Sequence, residues 1–322
     1  MSILFRAAVL VAFALAAIHA RAADTYPSRP IRMIVPTGAG GVTDVLGRIV
    51  AHKLGESLGQ QVVIDNRPGA SGIVGSQIVA TAPADGYTLL MVFPTHVVNP
   101  FLFSKMPYDT EKAFAPITIV STVSLLLTVN PDLPVKSTQE LIAYAKANPG
   151  KLNYGTVGSG SLGHLGAELF RSMSATRMTQ IAYKGSPQIL AALIGGEINM
   201  YMVASISGVM PQLKSGRVRA LGVSTKQSLP VLPNVPPIAD ALPGYEARGW
   251  NGILAPAGTP KTIIDKLHRE IVKIVRSPEF AQNLVNEGAF AMGNTPEEFA
   301  AVIRADMKKW SAVIKEAGIK GE

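Results

Sequence analysis

An α/β fold built as two units, with a mainly parallel sheet in each, is what this sequence predicts. Three observations carry the prediction: strand-length apolar runs alternate with segments of helical spacing, the alternation occurs twice, and 322 residues suffice for two ordinary cores. Apolar residues make up 48% and charged residues 16%, with 30 Gly and 23 Pro, a folded composition that excludes disordered, collagenous and coiled-coil classes. Cysteine is absent. Disulfides, thiolate metal sites, iron–sulfur clusters and cysteine nucleophiles are thereby excluded, and five histidines carry any imidazole chemistry.

The chain opens with Arg6, an uninterrupted apolar run from Ala7 to Ile18, and the small-x-small pattern Ala20-Arg21-Ala22. This predicts a secretory signal peptide over residues 1–22, cleaved after Ala22, with Ala20 and Ala23 as alternatives. The apolar run is well short of the roughly 20 residues that span a bilayer. A soluble product outside the cytoplasm is expected. Removal of Arg6 and Arg21, with no acid, lowers the formal charge of +8 by two and leaves a moderately basic protein. Such a balance favours anions. The basic residues are scattered, densest at Lys214 to Arg219, and no aromatic residues interleave them, so a small anion fits better than nucleic acid.

Each element follows from its own pattern. Ile31 to Val35 is an apolar strand, and after a glycine loop Val42, Val45, Leu46, Ile49, Val50, Leu54 and Leu58 fall at helical spacing. Gln61 to Ile64 is the next strand, Ile73 to Ala80 a helix, and Thr88 to Phe93 a third strand after the turn Pro83-Ala84-Asp85-Gly86. This βαβαβ order calls for parallel strands with right-handed crossovers. The strand-like stretch Phe114 to Val129 leads into the second unit, where the capping box Ser137-Thr138-Gln139-Glu140 opens the helix Leu141 to Ala147. Strands are predicted at Leu152 to Thr156, Thr179 to Tyr183, Ile198 to Val203 and Arg219 to Val223. Helices are predicted at Leu162 to Met173, Pro187 to Ile194 and Ile206 to Leu213.

Gly249 to Leu254 is strand-like again, followed by helices from Pro260 to Arg276, from Pro278 onward, and from the cap Thr295-Pro296-Glu297-Glu298. No third sheet follows, so these helices are expected to return to the first unit. The boundaries are then 23–122 plus 248–322 for a discontinuous first lobe and 123–247 for the second, with hinge strands near 115–129 and 246–254. Two crossing strands make a hinge, and a hinge between α/β lobes makes a cleft.

Two loops sit where a strand hands over to a helix. In Pro36-Thr37-Gly38-Ala39-Gly40-Gly41-Val42-Thr43-Asp44, the glycines let backbone approach a ligand, and the first-turn N–H groups form an anion site. The alternative is a tight turn without a ligand. Asp44 reads as structural, accepting backbone N–H groups or ordering the loop. The second loop, Thr156-Val157-Gly158-Ser159-Gly160-Ser161-Leu162-Gly163-His164, matches G-x-G-x-x-G between a strand and a helix. Its dinucleotide reading fails, because Gln180 to Lys184 offers no acid for a ribose. What remains is a set of hydroxyls and glycine amides suited to a carboxylate, or a serine-rich turn that caps itself.

Motifs for hydrolases, zincins and phosphate loops are missing, and His96, His164 and His268 are too far apart in sequence to propose as metal ligands. No cofactor, metal site or catalytic residue is expected. His96, just beyond the third strand, stands where α/β folds place ligands, and His164 is expected to brace its loop. Tyr201 could face the cleft by alternation.

Several motifs then occur in order: Tyr26-Pro27-x-x-Pro30-Ile31, Ala39-Gly40-Gly41-x-x-Asp44, Asn66-Arg67-Pro68-Gly69-Ala70 and Asp85-Gly86-Tyr87-Thr88-Leu89-Leu90. They continue through Asn99-Pro100, Pro107-Tyr108-Asp109, Ala145 to Leu152, Gly158-x-Gly160-Ser161-x-x-His164-Leu165, Tyr183-Lys184-Gly185, Trp250-x-Gly252 and Ala255 to Pro260. With these the mature chain resembles the Bug-type extracytoplasmic solute receptors of tripartite tricarboxylate transporters. The resemblance implies a type II, Venus flytrap-like periplasmic binding protein that closes on a carboxylate and presents it to permease subunits in the membrane.

It also implies that both loops contact the ligand carboxylate, which carries over to Gly38, Ala39, Gly40, Thr156, Ser159, Gly160 and Ser161, with Thr37 and His96 as neighbours. On this reading Ser161→Ala weakens ligand binding without unfolding the protein. The family often has an aromatic residue where Thr37 stands and Asp where Asn199 and Val203 stand. Val203 therefore points to an acid without an amine, a dicarboxylate or an aromatic carboxylate. A monomer is expected. The rival readings are an exported enzyme acting on small carboxylates, with only Ser159, Ser161, His96 and His164 as candidate groups, and a periplasmic partner of a signalling system.

Overall fold

A computed structural model describes residues 26–40 and 42–319. The expected signal peptide, 1–22, and Gly41 of the first glycine loop lie outside the described residues. The first three strands, β1 (Ile31–Val35), β2 (Val62–Asn66) and β3 (Thr88–Val92), are joined by α1 (Val42–Leu58) and α2 (Ile73–Ala80). β1 pairs parallel with both neighbours. Ile31, Met33, Ile34 and Val35 are all buried, as a strand covered on both faces requires. α1 turns Leu46, Val50 and Leu54 inward at turn spacing onto Met33, Val35, Leu89 and Met91.

β3 runs through Phe93-Pro94 into α3 (Thr95–Leu102), a helix without a counterpart in the sequence reading. Asn99 and Pro100 weaken its local signal, and packing of Val97 and Val98 into the core sustains it. The long apolar stretch then divides at Leu125 into β4 (Phe114–Ser124) and β5 (Leu126–Val129). The second unit follows as α4 (Thr138–Ala147), β6 (Leu152–Thr156), α5 (Leu162–Ser174), β7 (Met178–Ala182), α6 (Ser186–Ile194), β8 (Met200–Val203), α7 (Ile206–Lys214) and β9 (Arg219–Val223). Ser137 accepts from the Glu140 amide, whereas the Glu140 side chain reaches back to the amide of Lys136. β10 (Arg248–Pro256), α8 (Lys261–Val275), α9 (Pro278–Val285), β11 (Phe290–Ala291) and α10 (Pro296–Ala317) complete the chain.

Two sheets result, one ordered β11-β4-β10-β3-β1-β2 and the other β7-β6-β8-β5-β9. Both are mixed, which corrects the expectation of a mainly parallel sheet in each lobe. β10 runs antiparallel to β3 and β4, and β5 runs antiparallel to β8 and β9. The reason is connectivity: β5 and β10 are the strands by which the chain enters each sheet from the other, so each arrives against the direction of its neighbours. The chain passes between sheets at Leu125, whose amide donates to Ser224 Oγ at 2.8 Å. That hydroxyl in turn donates to the Ala247 carbonyl, beside the return crossing.

Two of the terminal helices pack into different cores. Leu267, Ile271 and Ile274 of α8 share a core with Leu46, Val50 and Leu54. α10, opened by the expected Thr295–Glu298 capping box, packs Phe299, Ile303, Trp310 and Ile314 into a core containing α3 of the six-stranded lobe and Leu165 and Phe170 of the other. The Trp250-x-Gly252 motif gains a physical reason here. The Trp250 ring meets Phe299 edge to face at 5.1 Å, and a Cβ at Gly252 would lie 2.4 Å from the Phe299 ring.

Candidate functional site

Four helices begin at one cavity of about 530 Å³ between the sheets, a size suited to a small molecule. Gly40 and Val42 stand at the start of α1, Leu162 opens α5, Ser186 opens α6 and Ser205 is the N-cap of α7. The first turn of any helix carries N–H groups without intrahelical partners and the positive end of its dipole. No side chain caps α6 or α7. The crossing strands add a buried polar line: Thr43 Oγ1 donates to Asn251 Oδ1 at 2.9 Å, and Asn251 Nδ2 to Ser121 Oγ at 3.4 Å. Apolar surface supplies the rest, including Leu46, Ile49, Phe93 and Val123.

Each glycine loop is braced by a side chain four residues on. The Gly40 amide donates to Asp44 Oδ2 at 2.8 Å, and the Gly160 amide donates to His164 Nδ1 at 3.2 Å. Asp44 is buried and also accepts from Arg48 Nε at 2.9 Å and Asn66 Nδ2 at 2.8 Å, while Asn66 holds the Thr37 carbonyl at 3.1 Å. Burial opposes its ionisation, but Arg48, the Gly40 amide and Asn66 outweigh that and hold its carboxyl below the usual carboxylate range. Asp44 is thus structural and orders the loop. His164 braces its loop as predicted, through a ring nitrogen that must be unprotonated to accept; burial pushes its pKa down, the charge of Glu168 opposing.

Of the residues singled out in the sequence, Gly40 lines the cavity. Gly38 and Ala39 are exposed beside it, and Thr37 is half-buried with Oγ1 unpartnered. In the second loop Thr156 is buried and accepts from Gln180 Nε2 at 2.8 Å; Ser159 is half-buried. Gly160, at φ +73°, lies under Leu102 of α3. Ser161 Oγ donates to the Gly158 carbonyl at 3.0 Å and accepts the His164 amide at 3.4 Å, so it caps α5. Its neighbour Leu162 carries this loop's contribution to the wall.

His96 is not at the cleft. α3 turns its ring into the six-stranded lobe, 2% exposed, against Phe114 at 5.0 Å and Tyr108 at 6.3 Å. A position just beyond a strand faces a ligand only if the chain stays a loop there, and here it becomes helix. Val203 packs in the core of the five-stranded lobe, and Asn199 exchanges hydrogen bonds with Asn153, so neither residue informs on a ligand amine. Tyr201 is buried, its hydroxyl donating to Ser186 Oγ at 3.0 Å behind the cavity wall.

Sequence reasoning missed Ser121, Asn251, Ser186, Ser205 and Glu287. Ser186 and Ser205 carried a readable signal, a small polar residue at the start of a helix, as in the two glycine loops. Glu287 carried none. It follows α9, lines the cavity, and accepts from Ser205 Oγ at 3.0 Å and from Ser207 Oγ, reaching across from one lobe to the other. Among the described residues, no group of three or more His, Cys, Asp or Glu could hold a metal ion, and no helix is long and apolar enough to cross a membrane.

Two lobes, two crossing strands and a cleft rimmed by helix starts define a two-lobed solute-binding protein. Residues 46–319 match the family described as the tripartite tricarboxylate transporter family receptor, and this chain belongs to that family. It is 36% identical over 301 residues to protein BugT of Bordetella pertussis, covering 92% of each chain. It is also 36% identical over 312 residues to a protein encoded in the tcbD–tcbE intergenic region of Pseudomonas sp. strain P51, covering 96% of this chain and 93% of that one. Among solved structures, Rpa4515 of R. palustris with adipate superposes with a TM-score of 0.78 at 36% identity, covering 92% of this chain and 100% of that one. MatC of Rhodopseudomonas palustris with bound malate gives 0.74 at 28% identity, covering 90% and 100%. The family is one of receptors, so the protein is a binding protein and not an enzyme.

Proposed function

We propose that this protein, exported to the periplasm, captures a small carboxylate between its lobes and delivers it to the membrane subunits of a tripartite tricarboxylate transporter. The observation that carries the reading is the convergence of four helix starts on one cavity. Relatives solved with adipate and malate support a carboxylate. On this reading 23–122 with 248–322 moves against 123–247 about the crossing strands. Thr37, Gly38, Ala39 and Gly40 meet the carboxylate from one lobe, and Thr156, Ser159, Gly160 and Ser161 from the other. A ligand that touches both lobes binds the shut form better than the open one, and that difference drives closure.

Thermal shift against di-, tri- and aromatic carboxylates, followed by calorimetry, tests the reading. A ligand at a hundred times its Kd stabilises by about 2.7 kcal/mol, a clear rise in melting temperature. A flat response across the whole panel rejects it. Asp44→Ala frees the Gly40 amide, Arg48 and Asn66 together and is expected to weaken binding by about tenfold or more, the equivalent of one charge-assisted hydrogen bond. Unchanged affinity in that variant means that Asp44 does not hold the loop in its binding form.

A further inference from the structure

We propose that the cleft selects an acid with one carboxylate and an apolar body, and that Glu287 enforces this by filling the α7 start where a second ligand carboxylate would go. The inference rests on the carboxylate reading above and narrows it to a ligand class. Three features of the cavity carry it.

The first is charge. None of the described residues lining the cavity is Lys, Arg or His. Negative charge on a ligand is met by helix starts and hydroxyls alone, each helix contributing about half a unit charge. The four ends together carry about two unit charges, and Glu287 in the same wall offsets one of them, which leaves enough for one ligand carboxylate; a second or third has no cation to face.

The second is Glu287. Its two carboxylate oxygens accept from Ser205 Oγ, the N-cap of α7, and from Ser207 Oγ in the first turn. An anion at a helix start is the arrangement a ligand carboxylate would adopt. The protein supplies that anion itself, from a residue 82 positions away on the opposite lobe. The Glu287–Gly288 turn is seated firmly, since a Cβ at Gly288 would lie 2.4 Å from Ile206 and 2.9 Å from Leu229. A diacid spanning the cavity would bring its far carboxylate against Glu287, and like charges at contact repel in a partly desolvated site.

The third is apolar surface. Val42 and Val45 line the cavity with 53% and 47% of their surface exposed, and Ile49, Leu162, Leu284 and Ala289 continue the wall. Large apolar side chains left open on a cavity wall gain by covering a hydrocarbon, not a hydroxylated chain.

Hexanoate and adipate test this as a matched pair, since both have six carbons and differ by the second carboxylate; benzoate and citrate extend the comparison. Calorimetry at pH 7 on the wild-type protein is expected to give hexanoate and benzoate at least about tenfold tighter binding than adipate and citrate. Glu287→Gln is expected to shift the adipate-to-hexanoate affinity ratio at least about tenfold toward adipate. Ser207→Ala, which removes one of the hydroxyls positioning Glu287, is expected to shift it in the same direction and serves if the first variant folds poorly. Adipate or citrate binding the wild type as tightly as hexanoate overturns the selectivity while leaving the carboxylate reading intact. A ratio unmoved by both variants overturns the role of Glu287. Binding of none of the four acids removes the carboxylate reading itself, and the inference with it.

Discussion

Arg171→Ala is expected to cost about 3 kcal/mol of folding stability, the low end for stranding a buried charge. Glu168, on α5, is 6% exposed. One of its oxygens accepts from the Tyr154 hydroxyl, and the other accepts from Arg171 Nε at 2.9 Å and Nη2 at 2.6 Å. Without the guanidinium, a carboxylate stays inside the lobe with a single neutral donor. Replacing both residues, Arg171→Ala with Glu168→Gln, removes the stranded charge and is expected to recover most of the loss. Urea unfolding of the two variants checks this. A single variant within about 1 kcal/mol of wild type, with nothing for the double variant to recover, would show that the pair is solvated. The consequence reaches the cleft: the same helix opens with Leu162 in the cavity wall, and one turn before Glu168 it carries His164, the brace of Gly160, whose ring lies 6.4 Å from that of Tyr154.

His96→Leu is expected to remove a large part of the protein's acid sensitivity. Burial pushes the ring's pKa down to about 4 from 6.5, with the Thr110 backbone opposing only in part. Neither ring nitrogen has a hydrogen-bond partner of good geometry. The folded-state pKa is depressed, so the folded form binds fewer protons than the unfolded chain between the two values. This contribution to stability is therefore complete above about pH 6.5, falls as pH drops, and is lost on passing about pH 4. The shift corresponds to roughly 3 kcal/mol at the acid end. Leucine does not titrate, and it also deletes two buried polar atoms without partners. Urea midpoints measured from pH 7 to pH 4 should fall less steeply for the variant, with no loss at pH 7. Parallel curves for variant and wild type would show that His96 takes up its proton in the folded state without penalty.

Much of the fold was legible because its signals are local. Strand runs such as Ile31 to Val35, the turn-spaced apolar residues of α1 and the Thr295–Glu298 cap each depend on a few neighbouring residues. α3 was not legible, since Asn99 and Pro100 mask a helix that core packing holds in place. Of the site, Asp44 and His164 were read in their actual roles from their positions in the first turns of helices. His96 was misplaced for the same reason that α3 was missed.

By itself, then, the sequence determined two α/β units, the crossings between them and the two glycine loops braced at α1 and α5, all of which follow from periodicity and turn chemistry. Only the tertiary structure decided which groups share the cleft. Ser121 and Asn251 meet on crossing strands 130 positions apart, and Glu287 reaches Ser205 across 82. The first pairing is set by strand register within the six-stranded sheet and the second by how the lobes pack, and no local pattern encodes a contact whose two halves are brought together only by the tertiary fold. The reversed β5 and β10 belong with them, because strand direction in a sheet depends on which lobe the chain has just left.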